Sequence, residues 1–190
     1  PRGDTEVLLL AALEAIAEVD APRLIDLGTG SGALALSLLA ERGDATALAT
    51  DCEASALRTA QANAEALGVS DRVDWLRSDW FGAVNETGVD AVVSNPPYID
   101  SAAMEALEPE VARFDPTRAL HGGPDGLDPY RIIVPEALSR LRPGGWLGLE
   151  IGFDQGPAVA ALLQRSGYVG TRIIRDPAGL DRVVSGRRPD

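Results

Sequence analysis

The chain has 190 residues, of which 45% are hydrophobic and 24% are charged, with one cysteine and one histidine. This length and composition are typical of a globular α/β protein, and we predict that residues 1–190 form a single domain. An intramolecular disulfide is excluded, and we expect no metal centre because one cysteine and one histidine are a poor basis for one. No apolar run in the sequence is long enough to span a membrane, which favours the cytoplasm.

The net charge of −12 also limits the classes of partner, because all 17 basic residues are arginine and 29 residues are acidic. Proteins that bind nucleic acids usually gain much of their affinity by neutralising phosphates with a basic surface. The charge balance therefore argues against direct binding to nucleic acid.

Apolar periodicity predicts five strands that alternate with helices, followed by two further strands. The predicted helices cover about 4–19, 33–42, 55–67, 128–142 and 155–165, and the strands cover 24–27, 45–50, 73–77, 89–94, 146–151, 169–174 and 182–185. Asp4 or Thr5 is the predicted cap of the first helix, and Pro143-Gly144-Gly145 is the predicted turn before the fifth strand. Residues 99–128 are predicted to be largely irregular.

Helices between successive strands require crossover connections, so the first five strands should form a parallel sheet covered on both faces. Only Arg175 to Asp181 separate the last two strands, too few residues for a crossover helix, so these strands should pair antiparallel. The predicted fold is α/β and doubly wound, with seven mostly parallel strands and a carboxyl-terminal antiparallel hairpin. Ligands bind to such sheets beyond the carboxyl ends of the strands.

Glycines follow the first predicted strand, in the segment Gly28-Thr29-Gly30-Ser31-Gly32. Glycine at a strand-to-helix turn allows a tight turn and a close approach of the backbone to a ligand. The spacing Gly28-x-Gly30-x-x-Ala33 also fits the dinucleotide fingerprint, which leaves a nicotinamide-dependent oxidoreductase open.

The second and third strands end in carboxylates. Asp51 lies 23 positions after Gly28, where a carboxylate can accept both hydroxyls of a ribose or cap the following helix. Asp79 and Trp80 follow the third strand, where an adenine amine can bond to Asp79 and the ring can pack on the indole. The alternative for Trp80 is an ordinary core position.

The fourth strand runs directly into Asn95-Pro96-Pro97-Tyr98. Proline lacks a backbone N–H and has a fixed φ, so two prolines stop the sheet ladder abruptly. The result is either a plain turn or a stiff segment that presents an amide, free carbonyl groups and an aromatic ring.

Together these segments resemble the S-adenosylmethionine-dependent methyltransferases with a seven-stranded sheet that modify planar NH2 groups, and among them the release factor glutamine methyltransferases. The Asn-Pro-Pro-Tyr tetrad alone is shared with adenine and guanine methyltransferases, whereas its combination with the downstream segments is more specific. The segments that carry the resemblance are Arg2 to Glu6, Asp26 to Gly32, Ser94 to Tyr98, Arg118 to Leu120, Gly122-Gly123, Asp125 to Leu127, Pro143 to Trp146, Leu149 to Gly152 and Asp181 to Val184.

The resemblance implies that the methyl donor is S-adenosylmethionine and that the product is S-adenosylhomocysteine. It implies that the acceptor is the glutamine of the Gly-Gly-Gln motif in class I peptide chain release factors. The implied donor-binding residues are Gly28, Thr29, Gly30, Ser31, Gly32, Asp51, Asp79, Trp80, Asn95 and Thr5, with Thr5 closing over the methionine end. Residues 95–98 are expected to hold the glutamine, with Asn95 and Pro96 as the catalytic residues.

An amide nitrogen is a poor nucleophile because its lone pair is delocalised, so it requires positioning more than deprotonation. The Asn95 side-chain oxygen and the Pro96 carbonyl can each accept one N–H, which turns the nitrogen toward the methyl group. Pro97 would keep the Pro96 carbonyl aimed, and Tyr98 would offer a flat surface to the substrate.

Two features depart from the family pattern. Gly3 stands where the family usually has proline, and the family's amino-terminal helical domain has no counterpart in this chain. We therefore expect a catalytic domain alone, which binds the methyl donor but has a weaker affinity for the protein substrate.

Three other functions remain open on the sequence. The same chemistry could act on a nucleobase of ribosomal RNA or DNA, the glycine segment could bind a nicotinamide cofactor, or the chain could be a non-catalytic binding module. His121 and Cys52 have no assigned role, and Glu150 is either a substrate contact or a structural carboxylate.

Overall fold

The computed structural model describes residues 3–105 and 120–190, in which seven strands form one sheet. The described strands are β1 (Arg23–Leu27), β2 (Thr46–Asp51), β3 (Val73–Arg77), β4 (Val89–Ser94), β5 (Leu141–Glu150), β6 (Val169–Arg175) and β7 (Asp181–Arg187). The described helices are α1 (Gly3–Ala15), α2 (Ala33–Glu41), α3 (Ala54–Leu67), α4 (Ser101–Glu105), α5 (Asp128–Arg140) and α6 (Gly156–Arg165), with a 3-10 turn at Ser70–Arg72. Within these residues no helix is long and apolar enough to cross a membrane.

The strand order is β3-β2-β1-β4-β5-β7-β6. Strands β1 to β5 pair in parallel, whereas β7 is antiparallel to both of its neighbours, β5 and β6. The predicted fold class and the antiparallel pairing of the last two strands are confirmed. Because β1 lies between β2 and β4, the chain reverses its direction of winding there, and ligands bind at such a switch point.

The sheet separates two hydrophobic cores. Along β4, Ala91 and Val93 face the core that contains α1 and α2, whereas Val92 faces the core that contains α5 and α6. Side chains of a strand alternate between its faces, so burial on both sides makes the strand apolar throughout. The sheet is thus covered on both faces, and its carboxyl edge is where functional side chains can be exposed.

The first helix ends earlier than predicted, at Ala15 rather than near Val19. The guanidinium of Arg42 donates to the carbonyl oxygens of Ile16 (2.6 Å) and Val19 (2.7 Å) and so fixes a turn after the helix. At the other end α1 already includes Gly3, so Asp4 and Thr5 both lie in its first turn, and neither is the cap that we predicted.

The fifth strand starts at Leu141, directly after α5 ends at Arg140, so it begins earlier than predicted and includes Pro143-Gly144-Gly145. Gly144 has a φ of +72°, so the backbone still turns at the predicted position. Leu141 pairs with Val89 and Trp146 pairs with Ala91, so the intervening residues form a bulge inside the strand. The ion pair between Arg142 and Asp90 joins this bulge to β4.

The segment after β4 was predicted to be irregular from 99 to 128, and the structure adds the short helix α4 there. Ile99 forms a parallel bridge with His121, which brings the two ends of the segment together. Three residues of the resemblance, Arg2, Arg118 and Ala119, lie outside the described residues.

Candidate active site

A cavity of about 650 Å³ lies at the carboxyl ends of β1, β2, β3 and β4. This volume is in the ordinary range for small-molecule sites, and the position is the switch point of the sheet. Seven residues predicted from the sequence line it: Gly28, Gly30, Asp51, Asp79, Trp80, Asn95 and Pro97.

The other predicted residues lie beside the cavity and are not part of its lining. Thr29 is buried and its hydroxyl donates to Asp26 (2.6 Å). Pro96 is buried, and Tyr98 is half-buried and packs against the core formed with α5 and α6. The other three predicted residues that are not part of the lining are Thr5, Ser31 and Gly32.

The glycine loop is held from below by Asp26, which is 2% exposed. One oxygen of its carboxylate accepts both the Thr29 hydroxyl (2.6 Å) and the backbone N–H of Ala35 (3.2 Å). Burial raises the pKa of Asp26 to about 6, although the two hydrogen bonds oppose this change and the charge of Asp51 adds to it. The carboxylate thus ties the loop to α2.

Gly28 and Gly30 have φ angles of +67° and +58°, in the left-handed region that favours glycine. A Cβ at Gly30 would have no atom within 4 Å, so the backbone at this position faces open space. The loop can therefore bring its backbone against a ligand in the cavity.

Asp51 joins the glycine loop to the end of β2. Its two carboxylate oxygens accept the backbone N–H of Gly30 (2.9 Å) and of Glu53 (2.8 Å). Helix α3 begins at Ala54 and its N-cap is Glu53, so the alternative interpretation of Asp51 as that cap is wrong. A carboxylate has about four acceptor positions, so two bonds leave room for the hydroxyls of a ribose.

Trp80 has a φ of +48°, a conformation that is strained for a bulky residue and is often found at functional sites. The Ser78 hydroxyl stabilises this turn by donating to the Trp80 carbonyl (2.8 Å) and accepting the N–H of Ala83 (3.0 Å). The indole lies 3.6 Å from the position of a Cβ on Gly28 and is also packed on the core. The core interpretation of Trp80 is therefore partly confirmed, while its contact with an adenine stays a prediction. Ser78 is a lining residue that the sequence did not suggest.

Asn95 follows β4 and is exposed to the cavity. Its side-chain NH2 donates to the Thr5 hydroxyl at 3.5 Å, across 90 positions of sequence. Since the nitrogen is directed at Thr5, the side-chain oxygen is the end of the amide that can accept an N–H from a substrate.

A second wall of the cavity comes from the glycine-rich loop after residue 120 and from the start of α5. Ile99 donates to the Leu120 carbonyl (2.9 Å), and Gly122 donates to the Ile99 carbonyl (2.8 Å), so this loop packs directly behind Asn95-Pro96-Pro97-Tyr98. No contact with a ligand was predicted for these residues, although the paired glycines were part of the resemblance. The lining residues of this wall are His121, Gly122, Gly123, Pro124, Asp128, Pro129 and Ile132.

Two residues without an assigned role, Cys52 and His121, also line the cavity. His121 Nε2 lies 2.9 Å from the Ser101 hydroxyl at the start of α4. Glu150 is 3% exposed and is not among the lining residues, so a structural role suits it better than a substrate contact. In the part of the chain that the structure describes, no group of His, Cys, Asp and Glu side chains has the arrangement of a metal site.

The electrostatics of the cavity favour a cationic ligand. Its described lining includes four carboxylates and no arginine, the carboxylates being Asp51, Glu53, Asp79 and Asp128. A concave site lined by one sign of charge attracts ligands of the opposite sign. The site combines the glycine loop, the Asp51 carboxylate, which can bind a ribose, and the Asn95 amide oxygen, which can accept an N–H. These features suit a nucleoside that carries a positive charge.

Comparisons with known proteins agree with this geometry. The family model described as methyltransferase small domain matches residues 4–111. A release factor glutamine methyltransferase from Cereibacter sphaeroides is 50% identical over all of this chain, which covers 66% of that protein. A release factor glutamine methyltransferase from Xylella fastidiosa is 44% identical, again over all of this chain, which covers 68% of that protein.

A solved structure shares the whole fold. The protein-(glutamine-N5) methyltransferase (release factor-specific) from Alicyclobacillus acidocaldarius has a TM-score of 0.61 and is 28% identical, with coverage of 100% of this chain and 94% of that one. The chain spans between 57% and 68% of the length of eight curated relatives that it matches. On these matches and on its sheet topology, the chain belongs to the methyltransferase small domain family and, within it, to the release factor glutamine methyltransferase family.

Proposed function

We propose that this protein transfers a methyl group from S-adenosylmethionine to the side-chain amide nitrogen of the glutamine in the Gly-Gly-Gln motif of peptide chain release factors. The observation that carries the proposal is the position of Asn95-Pro96-Pro97-Tyr98, directly after β4 and at the wall of the cavity. The names of the relatives support the same acceptor. A substrate that acts in translation termination assigns the reaction to the cytoplasm.

The residues around the cavity fit the proposed donor. S-adenosylmethionine supplies an electrophilic methyl group on a positively charged sulfonium, which suits a lining rich in carboxylates. Asp51 is positioned to accept the ribose hydroxyls, and Trp80 offers its indole to the adenine, with Asp79 accepting the exocyclic amine. The open backbone at Gly30 would approach the donor most closely.

The chain's own residues would position the acceptor. The side-chain oxygen of Asn95 and the carbonyl of Pro96 each accept one N–H of the glutamine amide, and so turn the nitrogen toward the methyl group. As the carbon–nitrogen bond would form, the bond between the methyl group and the sulfonium sulfur would break, leaving the thioether S-adenosylhomocysteine. Positive charge would pass from the sulfur to the NH2 group, where the same two acceptors stabilise it. Water can take the proton that the nitrogen then loses, because an amide that carries positive charge on its nitrogen is a strong acid.

The direct test is mass spectrometry of a class I release factor after incubation with the protein and the methyl donor. We expect the mass of one CH2 group to be added to the Gly-Gly-Gln glutamine and not to a release factor in which that glutamine is replaced by asparagine. Methylation of RNA or DNA without methylation of the release factor would refute the proposed acceptor in favour of a nucleobase.

The proposed donor has its own test. S-adenosylhomocysteine should raise the melting temperature of the protein, because a ligand that binds only the folded state stabilises it, whereas NAD should not. Stabilisation by NAD alone would instead favour the oxidoreductase interpretation of the glycine loop.

A further inference from the structure

The side chain of Gln155 connects three separate segments near the acceptor side of the site. Its Nε2 donates to the carbonyl oxygens of Tyr98 (3.0 Å) and Gly126 (3.2 Å), and its Oε1 accepts the backbone N–H of Gly152 (3.0 Å). Both hydrogens and the oxygen of the amide are therefore used. Gln155 lies 57 positions from Tyr98, so this connection exists only in the folded chain.

The orientation of the Gln155 amide is determined by its partners. Two of them are carbonyl oxygens, which require a donor, and the third is an N–H group, which requires an acceptor. The buried Tyr130 hydroxyl lies 3.4 Å from the same Oε1 and donates to the Glu150 carbonyl at 2.9 Å. In the opposite orientation, the Gln155 Oε1 would lie against the carbonyl oxygens of Tyr98 and Gly126, where no hydrogen bond can form.

The loop that Gln155 holds packs against the acceptor segment at distances that only glycine allows. A Cβ on Gly126 would lie 2.4 Å from the Tyr98 carbonyl and 2.6 Å from the Gln155 nitrogen. A Cβ on Gly122 would lie 2.7 Å from the Pro97 carbonyl. The backbone of Pro97 and Tyr98 is thus supported by two glycines and by one side-chain amide.

We propose that Gln155 is a positioning residue for the methyl acceptor, an inference that rests on the proposed function. By holding the Tyr98 and Gly126 carbonyls together, Gln155 keeps the residues after Pro96 in place and so determines where the Pro96 carbonyl lies. A displacement of about 1 Å in such a group can reduce the rate of a positioned reaction about 100-fold. Gln155 itself is not among the residues that line the cavity, so it acts through the acceptor segment.

The variant Gln155→Glu tests this role with a change of only one atom in the side chain. At neutral pH it places a carboxylate oxygen against the two carbonyl oxygens, so kcat for glutamine methylation should fall by about tenfold or more, while the Kd of S-adenosylhomocysteine stays within about twofold. When the pH is lowered and the new carboxyl group is protonated, its one O–H can again donate to one of the two carbonyl oxygens, so kcat relative to wild type should recover in part.

Gln164→Glu is the matched control, because Gln164 is exposed on α6 and the same charge is added there. Its kcat relative to wild type should not change with pH. A Gln155→Glu variant with the kcat and pH profile of this control would overturn the proposal.

Hydrogen–deuterium exchange of Gln155→Ala separates this proposal from the proposed function. The amides of Gly122 and Asp128, which bond to the Ile99 and Gly122 carbonyls, should exchange faster in the variant than in wild type. Suppose that the wild-type protein methylates no release factor but the variant exchanges faster. That result would refute the proposed substrate and still support the role of Gln155 in the loop. Wild-type exchange together with wild-type kcat would refute the role of Gln155.

Discussion

The buried carboxylate of Asp26 makes the stability of this protein depend on pH in a way that one substitution can isolate. Asp26 lies beneath the glycine loop, and one of its oxygens accepts bonds from Thr29 and Ala35. The variant Asp26→Asn removes the negative charge but keeps a side-chain oxygen that can accept both bonds. We therefore expect the loop, and with it binding of the methyl donor, to persist in the variant.

The size of the effect follows from the pKa of Asp26, which burial raises from an ordinary value of 3.8 to about 6. A change of that size corresponds to about 3 kcal/mol in the free energy of unfolding. Since the folded chain holds this proton more tightly than the unfolded chain, the stabilisation is fully present below about pH 4. It is lost as the pH rises through about 6, where the buried group ionises.

Urea denaturation of both proteins between pH 4 and pH 7 measures this contribution. Relative to wild type, Asp26→Asn should gain about 2–3 kcal/mol in the free energy of unfolding over that range. Carboxylates that do not interact with Asp26 contribute equally to the stability of both proteins, so they cancel in the difference. Asp74→Asn, at an exposed position of β3, is the control and should show no such gain. If the free energies of unfolding of wild type and Asp26→Asn changed with pH by the same amount, the reasoning would be refuted.

Three other substitutions test the site. Asn95→Ala should abolish transfer of labelled methyl groups while the donor Kd, measured by calorimetry, stays within about tenfold; wild-type turnover would end the proposed mechanism. Asp51→Ala should weaken donor binding by about 1.5–3 kcal/mol for each charge-assisted bond lost, and an unchanged Kd would contradict its assignment to the ribose. Gly122→Ala should lower both melting temperature and turnover, because its Cβ would lie 2.7 Å from the Pro97 carbonyl, whereas Gly43→Ala meets no atom within 4 Å and should change neither.

Features that depend on a few neighbouring residues were predictable from the sequence. The end of β4 at two prolines, the left-handed glycine loop after β1 and the end of α3 at Gly68, whose φ is +69°, all follow from the backbone preferences of proline and glycine. The parallel sheet was predictable too, because alternation of strands and helices permits few topologies.

Features that depend on distant partners were predicted incorrectly or were missed. Helix α1 ends early because Arg42, 26 residues beyond Ile16, binds the turn after it. Strand β5 begins before its predicted start because Leu141 pairs with Val89, about 50 residues earlier in the chain, so the strand extends across Pro143-Gly144-Gly145. The glycines and proline mark the turn, but they do not show that the strand begins before it.

The sequence by itself determined the order of the elements and the residues at the ends of β1 to β4, because strand ends and turns are set by short-range sterics. It also carried the resemblance to the release factor glutamine methyltransferases. Only the tertiary structure decided that Thr5 contacts Asn95, that the loop after residue 120 forms a wall of the cavity, and that Gln155 holds the Tyr98 carbonyl. The first and last of these contacts join residues that are 90 and 57 positions apart in the sequence. The loop contact depends on glycines, because a Cβ there would clash with the backbone of the acceptor segment.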